Sequence, residues 1–303
     1  MKILVTGGAG FIGSHIVDKL VENHDVHVLD NLSNSSKANV NKGAKLHKKN
    51  INVGLEKIFK NEKFDTVIHQ AANVFVTKSL KDPIFDATVN ILGSLNILEN
   101  CRKHGVKKII YANSGGAGSG EPQYLPVDEE HPIKPLAPYG VSKHTVEHYL
   151  EIYSKLYGLK YTSLRYANIY GPRQNPEAEG GVVAIFINKL LKNQQPSIIG
   201  DGEQTRDFVF VEDVVNVNII SMKKGDNDYF NISTGNETSV NELFALIKRL
   251  AKSEIKPLYK DAIKGEIKRS VLSCDKAKKI LGWKAKTSLD EGLKKCVEYY
   301  KQL

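Results

Sequence analysis

The stretch Lys2-Ile3-Leu4-Val5-Thr6-Gly7-Gly8-Ala9-Gly10-Phe11-Ile12-Gly13 decides how this chain folds. Lys2 to Thr6 is a short apolar run of strand type. Phe11, Ile12, Ile16, Leu20 and Val21 then repeat at helical spacing. Gly8, Gly10 and Gly13 fit a Gly-x-Gly-x-x-Gly pattern, and Gly7, Gly10 and Gly13 fit a Gly-x-x-Gly-x-x-Gly pattern. Glycines let a backbone approach phosphate oxygens closely, and the free amides of a following helix point at the anion. Strand, glycine turn and helix in that order predict a bound dinucleotide. Asp30 ends the next strand signal, His24 to Asp30, where a carboxylate accepts hydrogen bonds from an adenosine ribose. A carboxylate there repels a 2′-phosphate, which favours NAD over NADP, while Lys37 is a nearby group able to reach a phosphate.

Further along, strand signals at 44–48, 66–68 and 108–112 alternate with helical segments at 84–103 and 138–157. Such alternation predicts an α/β fold, a Rossmann-type doubly wound parallel sheet covered on both faces. From residue 171 the texture changes. Gly171-Pro172, Asn175-Pro176 and Gly180-Gly181 mark loops. A helix near 181–192, a strand at 207–210, a helix near 240–251 and a final helix near 288–301 follow, the last opened by a capping box from Ser288 to Glu291. The expected organisation is a mainly NAD-binding lobe over 1–170 and a smaller mixed lobe over 171–303, with 207–235 crossing back to the first. A length of 303 residues suits two such lobes.

Composition removes several classes. Hydrophobic residues at 41% and charged residues at 25% are a globular balance, which excludes wholesale disorder. No apolar run approaches the roughly 20 residues a bilayer requires, and glycines interrupt the only early one, so neither a membrane span nor a targeting segment is expected. The net charge of +9 is lysine-rich and spread along the chain, with pairs such as Lys107-Lys108 and Lys278-Lys279. Nucleic-acid binders concentrate basic residues or interleave them with stacking aromatics, so no nucleic-acid partner is expected. Cys101, Cys274 and Cys296 are odd in number and far apart, which fits a reducing, cytoplasmic setting. His144 and His148 share a helix spacing but lack a third ligand, so no metal is expected. Trp283 is expected to pack the end of the second lobe.

Tyr139-Gly-Val-Ser-Lys143 places a phenol and an ammonium one turn apart on one helix face. A phenol is a poor base at neutral pH, and a nearby cation favours its phenolate. Ser114 stands just beyond the strand signal at 108–112. That is the carboxyl end of a parallel sheet, where open α/β sheets hold their ligands.

With these motifs in place, the chain resembles the extended short-chain dehydrogenase/reductases, and within them the nucleotide-sugar epimerases. The resemblance rests on the Thr6–Gly13 turn, Asp30-Asn31-Leu32-Ser33, His69-Gln70-Ala71-Ala72, Asn90 and Tyr139-x-x-x-Lys143. It continues through Leu164–Arg173 and Gly200–Phe208 to about residue 300. It implies NAD as cofactor, a UDP-sugar as substrate and a homodimer. The cofactor residues it implies are Gly7, Gly10, Phe11, Ile12, Gly13, Asp30, Asn31, Ser33, Lys37, Asn50, Ile51, Gln70, Ala71, Ala72, Asn90 and Tyr166, together with Tyr139 and Lys143. Tyr139 is implied as the group that exchanges a proton with the sugar 4-hydroxyl, Lys143 as its electrostatic partner, and Ser114 as a hydroxyl bonded to the reacting oxygen. Asn168, Gly181, Val182, Val183, Ile199, Arg206, Lys264, Glu266 and Ser270 are implied around the nucleotide sugar, beside Ser114 and Tyr139. Ser270 falls at a position where a small side chain leaves room for N-acetyl sugars.

Sugar-nucleotide dehydratases carry Asp-Glu directly after the catalytic hydroxyl. Here Gly115-Gly116 follow Ser114 and supply no acid or base. Two alternatives stay open: a 4-epimerase for UDP-GlcNAc or UDP-uronate, and a non-catalytic NAD-binding regulator.

Overall fold

In the computed structural model, which describes residues 1–177, 181–262 and 267–303, the first half alternates strands and helices. The strands are β1 (Lys2–Thr6), β2 (Asp25–Asp30), β3 (Lys45–Lys48), β4 (Thr66–His69), β5 (Lys108–Ser114) and β6 (Lys160–Tyr166). Between them run α1 (Phe11–Leu20), α2 (Glu56–Glu62), α3 (Val76–Lys81), α4 (Pro83–Ala87), α5 (Gly93–Lys103), α6 (Gly115–Ser119) and α7 (Pro138–Tyr157). The second half holds β7 (Asn168–Tyr170), α8 (Val182–Leu191), β8 (Ser197–Ile199), β9 (Thr205–Arg206), β10 (Phe208–Phe210) and α9 (Val211–Ser221). These are followed by β11 (Asp228–Ile232), β12 (Thr238–Ser239), α10 (Val240–Ala251), β13 (Leu258–Lys260), β14 (Arg269–Ser270) and α11 (Leu289–Tyr300).

Seven strands form one parallel sheet in the order β11-β6-β5-β4-β1-β2-β3. The chain reverses direction across the sheet between β1 and β4, which opens a crevice at their carboxyl ends. Successive side chains of β1 feed opposite layers. Ile3 and Val5 pack with α1 and α9 residues such as Ile16, Val17 and Val214, and Leu4 packs with Phe59, Ile97 and Tyr111. This is the Rossmann-type fold that the alternation predicts. A third core gathers Phe186, Phe208, Phe210, Leu243 and Leu293 from α8, β10, α10 and α11. After the first 170 residues the chain revisits the large sheet: β11 forms its edge and α9 packs on α1.

Three local features differ from expectation. The helix expected over 84–103 begins at Asp82-Pro83, where the Asp82 side chain accepts from Phe85 N at 2.9 Å, and it carries a π-helical turn over Thr88–Leu92. Gly118-Ser119, which open a glycine-rich run that reads as loop, instead end α6, a short helix that the Ser114 hydroxyl caps by accepting from Ala117 N at 3.4 Å. Trp283 joins the core of the large sheet rather than the second lobe, and its indole donates to the Asp213 carbonyl at 3.0 Å. The capping box at Ser288–Glu291 forms, and α10 opens with a second one from Ser239 to Glu242.

Candidate active site

The glycine turn is sterically determined. Gly7 has φ +67°, and a Cβ on Gly13 would lie 2.2 Å from the Gly7 carbonyl oxygen. Gly10 caps α1 without a side chain, and Ser14 is the first residue to donate back into the helix, to Gly10 O at 3.0 Å. The amides of Phe11, Ile12 and Gly13 therefore have no helical acceptor. Bare amides and a turn too tight for any Cβ fit the diphosphate of a dinucleotide. Asp30, buried at the end of β2, braces the turn by accepting from Ala9 N at 3.0 Å, Leu32 N at 2.8 Å and Ser35 Oγ at 2.8 Å. A carboxylate has about four lone-pair sites, so one remains for a ribose hydroxyl.

Around this turn, the Asn31 oxygen accepts from the Ser33 amide and hydroxyl, and Lys37 is exposed at the start of a short 3-10 turn. Asn39, absent from the expected set, donates to Ala9 O at 3.1 Å. The Asn50 oxygen accepts from Asn52 N at 2.9 Å, and the Ile51 side chain is buried against Gly93. That leaves backbone rather than side chain as the part of Ile51 able to meet a cofactor. Past β4, Gln70 donates to the Tyr166 hydroxyl (3.2 Å) and to Asn218 (3.3 Å), and Ala71 N donates to Thr6 Oγ1 at 3.2 Å. Ala72 follows, half-buried. Asn218 itself donates to Tyr166 at 2.8 Å and was missed because nothing in its local sequence marks it.

Tyr139 and Lys143 lie in the first turns of α7, started by Pro138 at its first position. Ser114, at the end of β5, stands near enough to the Tyr139 hydroxyl to favour its phenolate. The Lys143 ammonium sits 4.2 Å from the centre of the Tyr111 ring. Burial pushes Tyr139 up to about 12, with the Ser114 hydroxyl acting in the opposite sense and the charge of Asp86 adding to the rise. Burial likewise brings Lys143 down to about 7, against the pull of Glu147 and Asp86. In the protein alone, then, desolvation governs Tyr139, and the acidifying effect expected of the ammonium is not among the causes of its shift. Glu147, one turn beyond Lys143, is bound by Arg165 at 3.0 and 2.8 Å and by Ser163 at 2.7 Å.

Asn90 is held by the π-helical turn, and its amide is already committed. Its nitrogen donates to Asn73 O (3.0 Å) and to Asp86 Oδ1 (3.0 Å), while its oxygen accepts from Asn73 N (2.8 Å). Asp86 and Asn73 were absent from the expected set. The spacing Asp86-x-x-x-Asn90-x-x-x-Ser94 would have shown Asp86 as a neighbour of Asn90 on one helix face, while nothing local marks Asn73.

On the opposite side, β14 runs parallel to β9 and pairs Ser270 with Arg206. The Ser270 hydroxyl lies 3.0 Å from where a Cβ on Gly116 would be, so Ser270 stands over the segment after Ser114. Arg206 donates to the Thr205 carbonyl at 2.8 Å. Asn168, exposed on β7, pairs with Phe208. Gly181 caps α8, and Val182 and Val183 form its first turn, with Val183 buried. Ile199 ends β8, its carbonyl accepting from Gln204 at 2.8 Å. Lys264 and Glu266 lie outside the described residues.

His144 binds Glu147 (3.2 Å), and its ring meets that of His148 edge to face. A cluster of His27, His47 and Glu62 brings three possible ligand atoms within 4.8 Å, but Lys2 and Lys45 both bond Glu62. Those ammonium groups already neutralise the acid.

Comparison with known proteins places this geometry. Residues 3–233 match the NAD dependent epimerase/dehydratase family. A putative UDP-glucose 4-epimerase of Methanocaldococcus jannaschii is 50% identical over 99% of this chain and 98% of its own. The crystal structure of UDP-glucose 4-epimerase from Thermotoga maritima with UDP-glucose superposes with a TM-score of 0.98 at 48% identity, covering 100% and 99% of the two chains. That of the Thermus thermophilus UDP-glucose 4-epimerase in complex with NAD has a TM-score of 0.94 at 39% identity, covering 99% of each. A Rossmann fold with a dinucleotide turn and a Tyr-x-x-x-Lys pair beside Ser114 defines an NAD-dependent enzyme of sugar-nucleotide type. The chain belongs to the NAD dependent epimerase/dehydratase family.

Proposed function

We propose that this chain is a UDP-glucose/UDP-galactose 4-epimerase that keeps NAD through its cycle. The observation that carries the reading is that Tyr139, in the first turn of α7, feels the Ser114 hydroxyl at the carboxyl end of β5, with Lys143 one helix turn away and no acid or base directly after Ser114. NAD, when bound, supplies the hydride acceptor and donor for C4 of the sugar. Tyr139 takes the proton of the 4-hydroxyl as C4 is oxidised, and Ser114 donates to the same oxygen. The 4-keto sugar turns over, and Tyr139 returns its proton to the oxygen when C4 is reduced on the other face. Arg206 is suited to the UDP diphosphate as a forked donor, with Asn168 and the start of α8 beside it. Gly115-Gly116 offers no group for elimination, which supports simple epimerisation. The Ser114/Tyr139/Lys143 set also argues against a non-catalytic regulator, which has no need of a phenol beside an ammonium.

Ser270 supports acceptance of UDP-GlcNAc and UDP-GalNAc as well, because its small side chain stands over Gly116. Replacing it by tyrosine is expected to abolish turnover of the N-acetyl sugars and spare UDP-galactose. Activity on UDP-galactose with none on UDP-GalNAc in the unaltered protein refutes this part. The exposed apolar row Leu80, Ile84, Leu92, Val141, Ile152 and Leu156 on α3, α4, the π turn and α7 supports a homodimer through these helices. Three unpaired cysteines support a cytoplasmic setting, and among the described residues no helix is long and apolar enough to cross a membrane. Incubating the purified protein with a panel of UDP-sugars and looking for the 4-epimer tests the reading. Failure on every sugar, with NAD added, overturns it.

A further inference from the structure

A line of buried polar groups runs from Thr6, just before the glycine turn, to Asp86 on α4. Thr6 Oγ1 lies 2.6 Å from His69 Nδ1, His69 Nε2 lies 3.0 Å from Ser94 Oγ, and Ser94 donates to the Asn90 carbonyl at 2.6 Å. Asn90 then donates to Asp86, where the line ends. Burial with Lys143 nearby holds His69 down at about 3, so the line is neutral until its last member. Asp86 is fully buried on α4. Both of its donors, Asn73 at 2.7 Å and Asn90 at 3.0 Å, bond Oδ1, and Oδ2 has no partner. A buried carboxylate with a bare oxygen and no bonded cation is costly unless a positive charge stands near it.

We infer that Asp86 is a positioning residue for the epimerisation, its unbonded carboxylate oxygen supplying the counter-charge that keeps Lys143 cationic beside Tyr139. This rests on the catalytic reading above. The elements packed against α4 are α3, the π turn and α7. Helix α3 carries Lys78 and Lys81, both exposed, and the π turn carries no ionisable group. The first turns of α7 carry Tyr139, Lys143, His144, Glu147 and His148. Of all these, Tyr139 and Lys143 feel the charge of Asp86, as does Tyr111 from β5. Glu147 faces Lys143 too, but its two oxygens are taken up by Arg165, Ser163 and His144. Asp86 is therefore the carboxylate in this group with a free oxygen. Its charge raises both Tyr139 and Lys143, so neutralising it lowers both.

The test is the Asp86→Asn variant, which keeps the Oδ1 acceptor and removes the charge. Both limbs of its pH–kcat profile are expected to move toward acid by about one unit, the order of effect of a nearby charge. Asn73→Ala, which removes a donor and leaves the carboxylate, is expected to keep both limbs in place. Limbs unmoved in Asp86→Asn, or moved equally by Asn73→Ala, overturn the inference. A melting-temperature cycle covers the case in which Asp86→Asn alone unfolds. Lys143→Met leaves the Asp86 charge unpaired, so Lys143→Met/Asp86→Asn is expected to melt higher than Lys143→Met. The reverse order contradicts the inference. No turnover is needed for this cycle, so it separates a failure here from a failure of the epimerase reading.

Discussion

At the scale of single residues, the site turns on two groups whose ordinary proton affinities are wrong for the task. Tyr139 is lifted to about 12 and Lys143 lowered to about 7, in both cases chiefly by burial. A positive charge brought beside the phenol, such as that of oxidised nicotinamide, would work against the first shift. Tyr139→Phe removes the group proposed to take the proton of the sugar 4-hydroxyl. It is expected to lower kcat by about 10²–10⁴-fold, the usual worth of an acid–base group, while NAD content stays at the wild-type level. Turnover near wild type in that variant contradicts the assignment. Measuring kcat alongside the absorbance of cofactor released on denaturation checks both halves.

Elements explain how far the sequence could be read. Strand β1, the glycine turn and α1 were legible because one steric demand, that no side chain fit between Gly7 and Gly13, fixes residue type and spacing together. Gly13→Ala sets a methyl group 2.2 Å from a backbone oxygen, and loss of bound NAD is expected by absorbance even where the protein still folds. The Tyr139–Lys143 spacing was legible for the same reason: one turn of helix brings two groups together. Asp86 was legible only as a helix-face neighbour of Asn90, and Asn73 and Asn218 were not legible, because their partners lie far along the chain, on α4 and the π turn for one and on β6 for the other. The π turn at Thr88–Leu92 was hidden too, since a single widened turn is too short to be told from α-helix by apolar spacing. Trp283 was assigned to the wrong lobe because sequence order suggests nearness to α11, whereas its indole finds Asp213 on α9.

Buried charge within α7 also sets a pH dependence of stability. Burial raises Glu147, but His144, Arg165 and Ser163 outweigh it and hold the acid at about 2, below its ordinary 4.5. Its contribution is complete above 4.5 and is lost as pH falls toward 2. His69 is held at about 3 against an ordinary 6.5, so the unfolded chain gains a proton first and stability begins to fall below 6.5. Melting temperature is therefore expected to drop in two stages on acidification, and His69→Asn is expected to shrink the first, to which the lowered His15, His24, His27 and His47 also contribute. A single stage below pH 4.5 in the wild type contradicts this. Arg165→Met leaves Glu147 buried without its cation and is expected to cost about 3–5 kcal/mol in denaturant unfolding.

For the whole molecule, the large sheet holds the glycine turn and the Tyr139–Lys143 pair, and β14 brings Ser270, paired with Arg206 of β9, over the segment after Ser114. Assembly is argued from the surface: Ile84 is 79% exposed and Leu156 67%, too apolar a row for water alone. Light scattering on the eluting protein is expected to give twice the 33.7 kDa chain mass. Ile84→Glu/Leu156→Glu is expected to give one chain, and a wild-type monomer contradicts the dimer. The central claim is reversible oxidation at one ring carbon, and its most direct test is UDP-galactose carrying deuterium at C4, incubated with purified protein and no added NAD. UDP-glucose that keeps the deuterium at C4 is the predicted result. Deuterium lost to water, or no 4-epimer even when NAD is supplied, would contradict the account.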